Sequence, residues 1–223
     1  MRTAIVVGLV TLAIARPFWP AQEHAKAVRS GFGAVEGRVI DAEAHPVSGA
    51  KVYATHGGGS LGRPPSTYTD DKGKFLLSPV PVGRNTLHAS KETEGYPDTF
   101  FAFYDQGPEG IIEVNIHDKT VEQGVVVRLG PKGGRLRGKI LDAETGRSLV
   151  GARIVLARVD DSNKFLNFGP DSPDGRFSVV VPPVRFRLRV SAKGFEDWDY
   201  GTALQLASGE VKELTISLRP SRK

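Results

Sequence analysis

The feature that most restricts this chain is that it repeats itself. Laid against itself at an offset of about 102 residues, the 223-residue sequence keeps one register through a whole unit. Gly37-Arg38-Val39-Ile40-Asp41-Ala42-Glu43 returns as Gly138-Lys139-Ile140-Leu141-Asp142-Ala143-Glu144. Gly49-Ala50-Lys51-Val52 returns as Gly151-Ala152-Arg153-Ile154. Lys72-Gly73-Lys74-Phe75 and Pro81 meet Asp174-Gly175-Arg176-Phe177 and Pro183. The unit ends also agree, Val125–Pro131 against Leu214–Pro220. A register shared over most of a chain means two copies of one structural unit, and this outranks any local propensity. The units run over residues 34–131 and 135–220, with 132–134 as the linker. The joint Gly130-Pro131-Lys132-Gly133-Gly134 is too short and Gly-rich to hold structure of its own. The first unit is the longer, because it carries extra sequence around Thr99–Ile112.

What each unit folds into follows from its punctuation. The chain holds 26 Gly and 15 Pro, and a Gly costs about 1 and a Pro about 3 kcal/mol inside a helix. No window carries a sustained apolar stripe at helical spacing. Short alternating runs are common instead: Val35 to Val39, Leu136 to Leu141, Val179 to Val181, Arg185 to Val190, Val125 to Leu129 and Glu213 to Leu218. Asp, Gly and Pro turns separate them, and Asp-Gly before an aromatic opens a strand. Several short strands in about 90 residues imply an all-β Greek-key sandwich, twice over. The Gly-Ala pairs before a strand suit close approach of the backbone to its neighbour, and the Phe after each turn supplies core area.

The N-terminus and the charge narrow the setting. Met1-Arg2 precedes an apolar run from Ala4 to Ala15 that ends in Ala13-Ile14-Ala15, and Arg16-Pro17 interrupts it. A basic start, a run of this length and a small-x-small end read as a secretory signal peptide over residues 1–15. A membrane span needs about 20 apolar residues, so a membrane is met only through this segment if it stays uncleaved. Residues 16–33 form a spacer. The expected location is exported: periplasmic, cell-surface or extracellular. Cysteine is absent, which removes disulfides, thiolate metal sites and cysteine nucleophiles. The net charge of +5 is uneven, with 12 basic and 14 acidic groups in residues 16–131 and 17 basic and 11 acidic in 132–223. The basic second half reads as a solvated face or as one that suits an anionic partner such as an acidic glycan or a membrane surface. Nucleic acid does not suit an exported chain without a recognition helix.

The ordered motifs resemble the carboxypeptidase regulatory-like domain family. In the first unit these are Gly37, Val39, Asp41, Pro46, Gly49-Ala50, Val52, Gly73, Phe75, Pro81 and Gly95-Tyr96. The second has Gly138, Ile140, Asp142, Gly151-Ala152, Ile154, Asp174-Gly175, Phe177, Pro183 and Gly194-Phe195. Asp71-Lys72-Gly73 replaces Asp-Gly in the first unit, and Ser148 lies where the second lacks a proline. The resemblance implies a transthyretin-like (prealbumin-like) β-sandwich, an accessory role and no catalytic residues.

Motifs with chemistry in them are few. His56-Gly57-Gly58-Gly59-Ser60-Leu61-Gly62 imitates both an oxyanion-hole loop and a nucleophile elbow. Arg63-Pro64-Pro65 follows it, and proline denies the helix the elbow requires. A serine esterase is therefore the remote alternative. His24, His45, His56, His88 and His117 show no metal-ligand spacing, and no cofactor motif occurs. Arg185, Arg187 and Arg189 alternate with Phe186, Leu188 and Val190, placing three guanidiniums on one strand face where they suit carboxylates or sulfates. As a plain outer face the same row discourages edge pairing. Trp198 and Tyr200 share a face if extended and sit among Glu196, Asp197 and Asp199, a composition that stacks on sugar rings or covers a core. These five residues are the candidate ligand-binding set. Thr99-Phe100-Phe101-Ala102-Phe103-Tyr104 is expected to pack, as an added strand, over a sheet edge or against the second unit, or else to dock on a protein partner. The expected function is a non-catalytic binding, adhesion or envelope module with a polysaccharide or an envelope protein as partner.

Overall fold

The computed structural model describes residues 31–56, 64–100 and 112–221. The expected signal peptide at 1–15, the Gly-rich loop with Ser60, and Phe101, Phe103 and Tyr104 lie outside them. The described residues form strands, and no helix among them is long and apolar enough to cross a membrane.

Among the described residues, seven strands build the first half: β1 (Phe32–Ile40), β2 (Lys51–His56), β3 (Ser66–Tyr68), β4 (Lys74–Pro81), β5 (Gly83–Ser90), β6 (Ile112–Ile116) and β7 (Val121–Arg128). Seven more build the second: β8 (Gly134–Asp142), β9 (Arg153–Arg158), β10 (Phe165–Phe168), β11 (Arg176–Val181), β12 (Phe186–Ser191), β13 (Trp198–Asp199) and β14 (Val211–Leu218). The sheets run β4-β1-β7 with β3-β2-β5-β6, then β11-β8-β14 with β10-β9-β12-β13. Strand for strand this is one topology used twice, as the repeat requires. In each copy the first strand pairs antiparallel with the fourth and parallel with the last.

Period-two alternation sets the faces. In β1, Val35 and Val39 are fully buried while Glu36 and Arg38 are exposed. Between the sheets of the first half lies one core, with Leu77, Leu87, Ile116 and Leu129 at its centre. A second core holds Leu136, Ile154, Phe177, Phe186 and Leu188. At about 25 cal/mol per Å² of apolar surface, each fully buried Leu, Ile or Phe contributes roughly 2 kcal/mol.

The repeated glycines have distinct duties. A Cβ on Gly37 would stand 2.2 Å from the Val125 carbonyl oxygen in β7 and 2.8 Å from the Phe75 ring. On Gly138 it would meet the Leu214 carbonyl oxygen of β14 at 2.4 Å and the Phe177 ring at 2.9 Å. The close approach expected at the Gly-Ala pairs thus occurs one strand earlier. Gly49 has only a lysine side chain at 3.9 Å and Gly151 has nothing within 4 Å. Gly49 serves the turn instead, with a φ of +62°.

The joint is also more structured than its composition suggests. Gly134 is the first residue of β8. The Gly133 amide donates to the Gly95 carbonyl at 2.8 Å, and a Cβ there would fall 1.7 Å from the Val181 carbonyl oxygen. The Arg135 guanidinium donates to the Glu92 carbonyl at 2.7 Å, and the Lys132 ammonium lies 4.9 Å from the Tyr96 ring centroid. A glycine-rich link is held here by backbone contact, because only glycine lets it approach.

Replacing Gly138 by Ala forces methyl against backbone and should destabilise the second core by about 2 kcal/mol or more. Gly146→Ala, at an open turn with φ +67°, should cost about 1 kcal/mol. Chemical denaturation midpoints of the two variants test the difference.

Candidate functional site

β12 carries out the alternation read from its sequence. Phe186, Leu188 and Val190 are buried in the second core, and Arg187 and Arg189 point outward with Arg185 just before the strand. Across the sheet, Ala157 and Val155 of β9 stand opposite Arg187 and Arg189, and Phe165 and Asn167 of β10 stand opposite those. Arg153, next outward on β9, donates from Nε to Asn167 Oδ1 at 2.9 Å. The result is a flat outer face with guanidiniums set among small apolar side chains and Phe165, which is 46% exposed. Asp199 of β13 lies opposite Arg189 and accepts from its Nε at 3.0 Å. The Gly201 amide and the Arg189 guanidinium, with Arg187 beyond it, hold the Asp199 carboxyl below its ordinary range. Among the described residues, Arg185 and Arg187 have no ion-pair partner.

Trp198 and Tyr200 do not join this face. The β12–β13 register puts Trp198 opposite Val190 and Asp199 opposite Arg189, and residues directly opposite in an antiparallel pair share a face. Trp198 therefore falls on the core side of the sheet, away from the arginines. Its ring meets Tyr200 edge to face with centroids 6.1 Å apart, and both are partly buried against the second core. Lys212 lies 5.8 Å from the Tyr200 centroid. The five candidate residues are thus divided between two surfaces. What remains open at Trp198 is a shallow groove of about 290 Å³, shared with Glu196, Asp197 and Arg219.

The matching face of the first half is covered at its centre, while Lys51, Tyr68 and Arg84 toward its margins stay exposed. By register, Arg84, Thr86 and His88 of β5 correspond to Arg185, Arg187 and Arg189 of β12. Here Tyr53, Thr55 and His88 are buried although they point away from the core between the sheets. Part of the cover is the start of the first unit's extra segment. Tyr53 donates its hydroxyl hydrogen to Asp98 at 2.8 Å, and Phe100 packs edge to face on His88 with centroids 5.1 Å apart. Thr99 Oγ1 accepts the Ala89 amide at 3.0 Å. Thr55 Oγ1 and His88 Nε2 are 3.0 Å apart. Burial lowers the His88 imidazole to about 4, and burial with the neighbouring carboxylate raises the Tyr53 hydroxyl. Burial also raises Asp98 and Glu92. Sequence reasoning missed this cluster. Its one signal was Tyr, Thr and His on the outward phase of two strands.

Asp41, Glu43 and His45 bring ligand atoms within 4.8 Å of one another after β1, a grouping not read from the spacing of the histidines. The Asp41 carboxylate accepts the Glu43 and His45 amides at 3.1 and 2.8 Å, so it closes the turn that ends the strand.

The model of the carboxypeptidase regulatory-like domain matches residues 34–99 and 135–219, more than half of the chain and in two segments. No curated protein matches. Solved structures with a similar chain path include the TIE protein of Bacillus anthracis, at 13% identity and a TM-score of 0.36 over 85% of this chain and 34% of that one. A streptococcal ancillary pilin has 16% identity and a TM-score of 0.32, covering 86% of this chain and 63% of the pilin. The shaft pilin SpaA of Lactobacillus rhamnosus GG has 13% identity and a TM-score of 0.32, covering 86% and 99%. This chain spans about a third of the first of these proteins and under two thirds of the second.

The buried imidazole gives a pH test. Unfolded His88 titrates near 6.5 and folded His88 near 4, so the unfolded chain binds more protons between these values. The contribution is complete above about pH 6.5 and is lost as pH falls toward 4, by at most about 3 kcal/mol. Asp98 and Glu92, with raised carboxyls, act in the opposite sense as pH falls. The His88→Gln variant isolates the histidine: its denaturation midpoint should fall less than that of the parent between pH 7 and pH 4.5.

Proposed function

We propose that this chain, which belongs to the carboxypeptidase regulatory-like domain family and carries two of its modules, is an exported, non-catalytic binding module of the cell envelope whose second module holds an anionic polysaccharide. The observation that carries this reading is the contrast between equivalent faces. The first module covers the centre of its four-stranded sheet with its own chain, burying Tyr53, Thr55 and His88. The second leaves the same sheet open and sets Arg153, Arg185, Arg187 and Arg189 on it.

Guanidiniums bind carboxylates and sulfates through paired hydrogen bonds. A row of them at the two-residue strand repeat, about 6.6–6.8 Å, suits a ligand with acidic groups repeated along its length. Phe165, Val155 and Ala157 between them offer apolar contact to the faces of sugar rings. Trp198, with Glu196 and Asp197, forms a separate groove at the sheet edge that suits a neutral sugar hydroxyl set. The alternative of a protein partner docking through residues 99–104 has less support, because Thr99 and Phe100 are engaged on the first module's own sheet. A serine esterase using Ser60 has less support, because Arg63-Pro64-Pro65 after the loop denies it the helix that a nucleophile elbow requires.

Affinity gel electrophoresis of the full chain tests the reading. Polygalacturonate in the gel should retard it and dextran should not. Arg187→Ala with Arg189→Ala should weaken retardation about tenfold or more, since a hydrogen bond to a charged group contributes about 1.5–3 kcal/mol. Equal retardation of parent and double variant would count against the arginine face, and Trp198→Ala separates any share of the edge groove.

A further inference from the structure

The second module is cationic on its other side as well. The outer face of the sheet β11-β8-β14 holds an open groove of about 620 Å³ running over all three strands. Arg135, Arg137 and Lys139 follow one another along the outward phase of β8, and Arg176 of β11 stands opposite Lys139. Hydroxyls of Ser172, Ser178 and Thr215 lie between them. The corresponding positions of the first module are Ala34, Glu36, Arg38 and Lys74, so the added positive charge belongs to the second copy alone.

Acidic groups are present on this face too. Arg137 donates to Glu213 at 2.8 Å and Arg176 to Asp174 at 2.6 Å, and Asp171 lines the groove. These pairs are solvent-exposed, with the side chains of Arg137 and Arg176 52% and 65% accessible. Exposed pairs hold weakly and exchange readily for an incoming carboxylate. Lys139 has no ion-pair partner among the described residues. The groove therefore offers one uncommitted cation flanked by exchangeable guanidiniums and hydroxyl donors, which fits a sugar carrying an acidic group.

We infer that this groove is a second binding face for the same class of anionic polysaccharide, opposed to the arginine row, so that one module bridges two polymer strands. The inference rests on the polysaccharide reading above. The geometry behind the bridging is that of a sandwich. The two sheets enclose one core about 10 Å thick, so their outer faces point in opposite directions and a single rigid strand cannot contact both. Most residues of both faces lie on regular strands, with Arg185 just before β12 and Asp171 and Ser172 on the turn before β11. Charge complementarity selects the occupant: the groove's lining sets Arg135, Arg137, Lys139 and Arg176 against Asp171 and Glu213, and the opposite face sets Arg185, Arg187 and Arg189 against Asp199.

Two readouts separate binding from bridging. In dilute polygalacturonate the full-length parent should raise light scattering in proportion to protein added, and the signal should vanish in high salt. Arg137→Gln with Lys139→Gln should remove the scattering while leaving most of the gel retardation, and Arg185→Gln with Arg187→Gln should remove the scattering while weakening the retardation about tenfold, as the arginine-face variant above does. On an immobilised polymer layer, where one molecule can reach neighbouring strands, each two-residue variant should bind about 100-fold more weakly than the parent. Thermal midpoints of both variants should match the parent, since the altered side chains are outward-facing. If the Arg137/Lys139 variant scatters and binds as the parent does, the second face is wrong and the first reading stands. If the parent shows no retardation in polygalacturonate, the polysaccharide reading fails and the bridging falls with it. Scattering by the chain without polymer would assign the effect to self-association and also overturns the inference.

Discussion

Each module is held shut at one point, where the first strand is pressed between the last strand and a phenylalanine. Gly37 lies against the Val125 carbonyl and the Phe75 ring; Gly138 lies against the Leu214 carbonyl and the Phe177 ring. The parallel pairing of first and last strands depends on this contact, because any side chain there would separate them. The ring fills the space a side chain would have taken, so one residue pair serves both hydrogen bonding and core packing. Gly73 and Gly175, at φ +70° and +72°, place those phenylalanines by turning the chain immediately before their strands.

Much of this was legible in the sequence because it is local or repeated. The register between copies exposed the equivalence of strands, and strict alternation at residues 185–190 assigned the two faces of β12 correctly. What was not legible depends on partners distant in sequence. Tyr53 and His88 are 35 positions apart and become a buried pair only when β2 meets β5 and Asp98 and Phe100 fold back over them. The side of Trp198 is set by β13 pairing with β12 in one register, Trp198 to Val190. A slip of a single residue would have put it beside the arginines. Composition around the aromatic residues contained no information about that choice. The joint misled for a related reason: glycine reads as slack in one dimension but permits contact in three, as Gly133 does against Val181.

The two copies of one topology differ most at the surface. The cores conserve type, with Val, Leu, Ile and Phe at matching positions. The outer faces do not. One is covered at its centre by additional sequence and holds buried polar groups with shifted proton affinities. The other is open and carries arginine. The same scaffold thereby supplies a covered partner and an open one, joined by a link that Arg135 and Glu92 tie at the seam.

The strand arrangement also determines how the chain answers a pull. In each module the terminal strands are adjacent and parallel, β1 with β7 over Ala34–Ile40 and β8 with β14 over Arg135–Asp142. Tension entering at one end of the chain and leaving at the other draws such a pair lengthwise past itself. The hydrogen bonds between them are then loaded in shear and must yield together, whereas a hairpin pulled from its open end parts one bond at a time. A tether built from these modules would resist stretching through its backbone pairing, whatever its faces hold.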